Sequence, residues 1–257
     1  MWSGSAEGQQ LAFVDARAGR VTAVGAGSSS PALASCGGEL VEAGEYGVRA
    51  VTRASRELDG FGILDDVLGL ACDAEHVYGL GEISRDANSS QTVRVWDRAT
   101  GERREIRVRY PEHVLDSSVG TPFVRDGRLY WAADWRLWSI RLPSGEAAAP
   151  APVAEATVAA DLGGFIGDYD PVVGGDDLVL ARAGGRVYGV ASKEEFVNPK
   201  RGAVHDRLDG LAIFGADVRT GERRIVLEIH DIDFPRRDLS VTSIAVDPKW
   251  ADRAAAR

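Results

Sequence analysis

The sequence predicts an all-β chain, and within that class a β-propeller of five or six four-stranded blades. Three observations lead there. Short apolar runs recur at intervals of roughly 8–12 residues with Gly and Asp turns between them, the pattern of sandwiches, barrels and propellers. One hairpin is written twice, as TVRVWDRATGERREIRV at 92–108 and AIFGADVRTGERRIVLE at 212–228. The chain also splits a repeat between its ends: LSVTSIAVDP at 239–248 reads as a unit's first strand, and LAFVDARAGRVTAV at 11–24 supplies later ones. Pairing these N- and C-terminal strands in one blade would close the ring and remove open sheet edges.

The first hairpin, 11–24, turns on Asp15 and Gly19. Repeat units then follow at about 30–60, 62–110, 112–157 and 160–232. Three of them open with a related phrase of apolar strand, short turn and apolar-aromatic strand: LGLACDAEHVYGLGE (68–82), TPFVRDGRLYWAAD (121–134) and PVVGGDDLVLARAGGRVYGV (171–190). In the duplicated hairpin, Asp97 and Asp217 are expected to accept hydrogen bonds from backbone two residues on, and Gly101 and Gly221 to take the positive φ that closes the turn. Pro143 and Gly145 turn the hairpin at 137–145 by other chemistry. Residues 192–209 read as an insertion. It begins with Ser192-Lys193-Glu194-Glu195, which has capping-box spacing and predicts a short helix limited by Pro199. With that insertion the whole chain, 1–257, is read as a single domain.

Composition narrows the partners. Asp and Glu number 39 against 30 Lys and Arg, a formal charge of −9. Duplex nucleic acid and anionic membranes attract cationic proteins, so neither is expected as a partner. A protein or a small-molecule ligand is. No apolar run reaches the ~18–20 residues that span a bilayer, and MWSGSAEGQQ shows no basic then apolar signal pattern. A soluble, cytoplasmic protein is therefore expected. The two cysteines, Cys36 and Cys72, are too few for a disulfide framework and lack C-x-x-C spacing for zinc. Two unpaired buried thiols fit a reducing cytoplasm.

The segments Leu129-Tyr130-Trp131-Ala132-Ala133-Asp134, Ala71-Cys72-Asp73-Ala74-Glu75-His76-Val77-Tyr78 and Ser243-Ile244-Ala245-Val246-Asp247-Pro248 resemble bacterial propellers with YWTD-like or quinoprotein-like repeats. The resemblance implies the fold. It departs from the YWTD pattern at Gly79-Leu80-Gly81, where the aromatic signature is missing, and no Trp-rich series is present to dock a quinone. Propellers host lactonases, glycosidases, lyases, lectins and scaffolds, so the fold by itself assigns no activity.

Candidate chemistry is sparse, and each candidate has a structural alternative. In Glu228-Ile229-His230-Asp231, alternation puts Glu228 and His230 on one strand face; His230 with Asp231 could bind a divalent cation or act as a tuned base, or mark a strand end entering a solvated loop. Asp168 and Asp170, flanking Tyr169 before Pro171, could hold Ca²⁺ or act as an acid/base pair, or make an Asx turn. His205 with Asp206 reads as a loop pair. Asp66, beside Asp65, and the pair Asp176-Asp177 precede apolar strands, where they could line a propeller channel or form turns. Trp135 shares strand parity with Trp131 but not with Trp138, so it is either core or a sugar-stacking platform. No resident cofactor is expected, although Ca²⁺ or another divalent ion is permitted. Neither G-x-S-x-G, nor a P-loop, nor H-E-x-x-H occurs. The leading expectation is a non-enzymatic ligand- or protein-binding propeller using loops on one ring face. The rival is a propeller-type hydrolase or lyase acting on a sugar or lactone with channel carboxylates and His, metal-assisted or not.

Overall fold

The structure, a computed structural model, describes residues 10–15, 20–26, 32–36, 39–44, 47–51, 56–59, 67–84, 89–114, 119–143, 152–168, 170–171, 180–183, 185–195 and 207–229. Every regular element among these residues is a strand, as the all-β expectation requires. Two compact units result. One comprises Met1–His113, Pro122–Leu129 and Ile140–Glu155; the other comprises Val114–Thr121, Tyr130–Ser139 and Ala156–Arg257.

Strands β1 (Gln10–Asp15) and β2 (Arg20–Ala26) form a two-stranded antiparallel sheet. A meander of β3 (Ala32–Cys36), β4 (Glu39–Gly44), β5 (Gly47–Val51) and β6 (Arg56–Asp59) follows. The next sheet runs β7 (Gly69–Cys72), β8 (His76–Leu80), β9 (Ser90–Asp97) and β10 (Arg103–Arg109). Its outer edge is covered by β14 (Val153–Glu155), parallel to β10. Strands β11 (Gly120–Arg125), β12 (Arg128–Ala133), β13 (Arg136–Arg141) and β15 (Thr157–Asp161) make a further sheet. The last has the order β16 (Asp170–Pro171), β18 (Arg186–Glu195), β19 (Arg207–Asp217) and β20 (Arg223–Ile229), with β17 (Ala181–Ala183) also on β18.

Burial follows position in the meander. Outer strand β10, RREIRVR, buries alternate residues, Ile106 and Val108, because successive side chains point to opposite faces. Inner strand β12, RLYWAA, is buried from Leu129 through Ala133, so both of its faces are covered. The β3–β6 and β7–β10 sheets share one apolar cluster, to which Val41 contributes from one and Leu70, Val77 and Trp96 from the other.

Three expectations need correction. Cys36 and Cys72 are not free thiols: they form a disulfide, with Cα atoms 5.6 Å apart. They cap β3 and β7, whose sheets pack together, and such bonds persist in oxidising compartments. Ser192–Glu195 is not helical but the end of β18. Ser192 is buried, and it pairs with Leu211 on one side and Asp170 on the other. Sheet pairing of a continuous apolar run, Val187–Ala191, overrides a four-residue capping signal. The supposed insertion at 192–209 accordingly begins inside β18 and ends inside β19. Finally, the third repeat does not end at 157: its last strand runs to Asp161, while β14 belongs to the preceding sheet. Ring closure rests on 239–248, which lie outside the described residues.

Candidate functional site

Two groups of residues stand out. The first surrounds the β7–β8 turn. Asp73 Oδ1 accepts the backbone N–H groups of Glu75 and His76 at 2.8 and 2.7 Å. Its Oδ2 accepts the Tyr78 hydroxyl at 2.7 Å. Partial burial pushes the Asp73 pKa up, but the Tyr78 and backbone hydrogen bonds outweigh it and hold the carboxyl below the usual carboxylate range. Burial first, and then the Asp73 carboxylate, push the Tyr78 phenol far above its ordinary value. His76 Nδ1 lies 3.6 Å from Asp73 Oδ1, and its Nε2 lies 3.3 Å from Arg104 Nη2. A guanidinium can only donate, so Nε2 is the accepting atom of the Arg104 contact. Arg98 donates to the carbonyl oxygens of Asp73, Ala74 and Cys36. Every polar atom in this list is engaged with another part of the chain. Through Arg98 the cluster ties its sheet to Cys36, in the disulfide to the preceding one.

The second group lies at the β12–β13 tip. Asp134 and Trp135 have φ of 50° and 58°, so both central residues of this two-residue turn are left-handed. Such turns match strand twist and favour Asn-Gly. A tryptophan there is a backbone outlier. Trp135 is 41% exposed, whereas Trp131 and Trp138 are fully buried. The turn between Trp131 and Trp138 voids the parity comparison and resolves it in favour of a surface Trp135. The Trp135 carbonyl accepts the Leu162 N–H at 2.7 Å. A Cβ at Gly163 would lie 3.1 Å from that of Trp135, so the 162–168 loop reaches the tip closely. That loop is pinned: Asp161 Oδ1 accepts the Gly163 N–H at 3.0 Å, and Arg223 Nη1 donates to the Gly163 and Gly164 carbonyls at 2.6 and 3.2 Å. Between buried Leu162 and Ile166 it holds Phe165 outward, 69% exposed.

Of the other sequence candidates, Asp168 is exposed and ion-paired with Lys193 at 3.2 Å. The backbone of Asp170, in β16, pairs with Ser192 of β18. Asp66, His205, His230 and Asp231 lie outside the described residues. Among the described residues no group of three or more His, Cys, Asp and Glu is placed to hold a metal ion. No described helix is long and apolar enough to cross a membrane. Sequence reading missed the Asp73 cluster and Phe165. The second had a legible signal, a lone aromatic residue inside Gly163-Gly164-Phe165-Ile166-Gly167.

No protein-family model matches the chain, and no curated protein does. Solved structures similar to it include a Trichoderma reesei carbohydrate-active enzyme of family AA12, at 13% identity and a TM-score of 0.44, over 74% of this chain and 52% of that one. The tricorn protease shares 12% identity with a TM-score of 0.45, over 88% of this chain and 25% of that one. Pseudomonas brassicacearum lignostilbene dioxygenase shares 13% identity with a TM-score of 0.41, over 81% and 52%. The chain thus spans about half the length of two of these proteins and a quarter of the tricorn protease. Likeness at this level carries no argument about activity.

Proposed function

We propose that the chain is a non-enzymatic binding module, built as a propeller of five or six blades closed by pairing 239–248 with β1 and β2, that meets a protein or small-molecule ligand through loops at the ends of its sheets. The split repeat and the meander order of the sheets support the architecture. One observation carries the function: Trp135 and Phe165 are both exposed, the first on a left-handed turn and the second on a loop whose Gly163 and Gly164 carbonyls Arg223 holds. Backbone strain and exposed apolar area both cost stability, and contact sites are where such costs are retained. Asp73, Asp97 and Asp217 instead serve turns, and Asp168 an ion pair.

A fragment screen read by nitrogen–proton NMR tests this. The chain has six tryptophans, hence six indole N–H signals. Fragment hits should concentrate on the Trp135 signal, and calorimetry should find their binding lost in Trp135→Asn, which keeps a residue tolerant of positive φ. Hits that gather elsewhere and never move Trp135 would overturn the reading.

A further inference from the structure

We infer that the Trp135–Phe165 surface takes a neutral polyhydroxylated ligand, an oligosaccharide chain, rather than a protein face or a charged small molecule. This rests on the binding reading above and names its ligand class.

Size is the first argument. An aromatic side chain offers on the order of 150–250 Å², and these two are 41% and 69% exposed. Their contribution falls well short of the ~800 Å² per partner of a stable protein interface. Charge is the second. Around the tip and the 162–168 loop, Asp134 and Asp161 stand with Arg136 and Arg223, and Asp168 is paired with Lys193, so these six side chains sum to no net charge although the whole chain is at −9. An anion meets the carboxylates, and a cation meets the guanidiniums. A neutral ligand meets no net field. Shape and hydrogen bonding are the third. A pyranose presents C–H groups on its faces and hydroxyls around its edge. Flat aromatic rings receive the faces, and a carboxylate receives the hydroxyl protons. Asp161 is exposed and sits against the loop that carries Phe165, where its Oδ1 already accepts the Gly163 N–H. A carboxylate accepts up to about four hydrogen bonds, so it retains capacity for a hydroxyl. Arg223 is itself directed at the Gly163 and Gly164 carbonyls, so it braces the loop instead of binding an anion.

The test is a titration of the full chain, at 27.4 kDa accessible to indole NMR, with neutral gluco-, xylo-, manno- and N-acetylglucosamine hexasaccharides. Tetramethylammonium and a short aromatic peptide serve as contrasts. At least one hexasaccharide should move the Trp135 signal in a saturable way. Phe165→Ala, read on the Trp135 signal, and Trp135→Asn, read by isothermal titration calorimetry because it has lost that signal, should each weaken binding by about tenfold, the worth of one aromatic contact, with the other five indole signals unchanged. If the ammonium ion or the peptide moves Trp135 and no hexasaccharide does, the ligand class is wrong and the binding reading stands. Silence of Trp135 toward every hexasaccharide, contrast probe and fragment overturns both.

Discussion

The β7–β10 and β17–β20 sheets are two versions of one unit, and their differences separate what the fold requires from what this chain has added. Both inner strands carry Val-Tyr-Gly, at 77–79 and 187–189, and both outer hairpins carry Thr-Gly-Glu-Arg-Arg after an aspartate. The turns close identically. Asp97 Oδ1 accepts the N–H groups of Ala99 and Thr100, and Asp217 Oδ1 those of Arg219 and Thr220. Gly101 and Gly221 have φ of 77° and 72°. The residue after each aspartate donates its N–H to the neighbouring turn, Arg98 to Glu75 and Val218 to Gly185. Beyond the backbone the copies part. Where one sheet has Asp73 bonded to Tyr78, the other has Ala183 packed on Tyr188. Where one has Arg98 reaching Cys36, the other has buried Val218. The hairpin therefore folds without the charged cluster. Asp73, Arg98 and the disulfide are additions that fasten one sheet to its neighbour.

The largest test of that distinction is to cut the fastening. The Cys36–Cys72 bond closes a loop of 36 residues, and removing it should cost on the order of 4 kcal/mol in the chain-entropy account. Hydrogen exchange in the double variant Cys36→Ala/Cys72→Ala should rise in peptides from 32–109 and stay unchanged in 181–229. Equal loss in both regions would mean that the bond stabilises the common unit.

The shared part is tested by glycine. A Cβ on Gly189 would lie 2.5 Å from the Phe214 ring, and one on Gly79 would lie 2.8 Å from the Trp96 ring. Both rings are fully buried, so overpacking should cost about 1–3 kcal/mol in each case, more for Gly189→Ala. Urea midpoints of the two alanine variants check this. A neutral Gly79→Ala would break the equivalence of the two inner strands.

How much of this the sequence disclosed depends on how local the cause is. The Asp97 and Asp217 turns are legible because an aspartate, its backbone donors and a glycine lie within five residues. Strand alternation in β10 is legible for the same reason. The disulfide is not, because nothing between Cys36 and Cys72 encodes that β3 lies against β7. The strand at Ser192 was obscured by a local helix signal that pairing to Leu211 defeats. Trp135 was recognised as a candidate, yet its exposure followed from a turn between it and Trp131 that parity counting ignores. Its companion Phe165 needed a contact between separate loops, which only the folded chain supplies.

The smallest expected effect is also the most selective. Asp73, Asp97 and Asp217 all have pKa values below the usual carboxylate range. A depressed folded pKa adds stability that is fully present above the unfolded value, ~3.9, and is lost as pH falls through the folded one. Acid should therefore weaken both hairpins, through Asp97 in one sheet and Asp217 in the other. Only the β7–β10 sheet should lose more, through Asp73, since Ala183 has nothing to protonate. In Asp73→Asn that extra loss should disappear, and the protection factors of 69–109 and 181–229, with the intrinsic pH dependence of exchange divided out, should then fall in parallel between pH 5 and pH 3. The Tyr78 phenol gives the same comparison from the alkaline side. Its pKa is raised in the fold, so its contribution is complete below ~10 and declines as pH climbs toward the folded value. Asp73→Asn should bring that tyrosine's ionisation, followed by ultraviolet difference absorbance, to lower pH. If the titration stays where it was, burial alone holds the phenol neutral and the hydrogen bond to Asp73 contributes nothing to it.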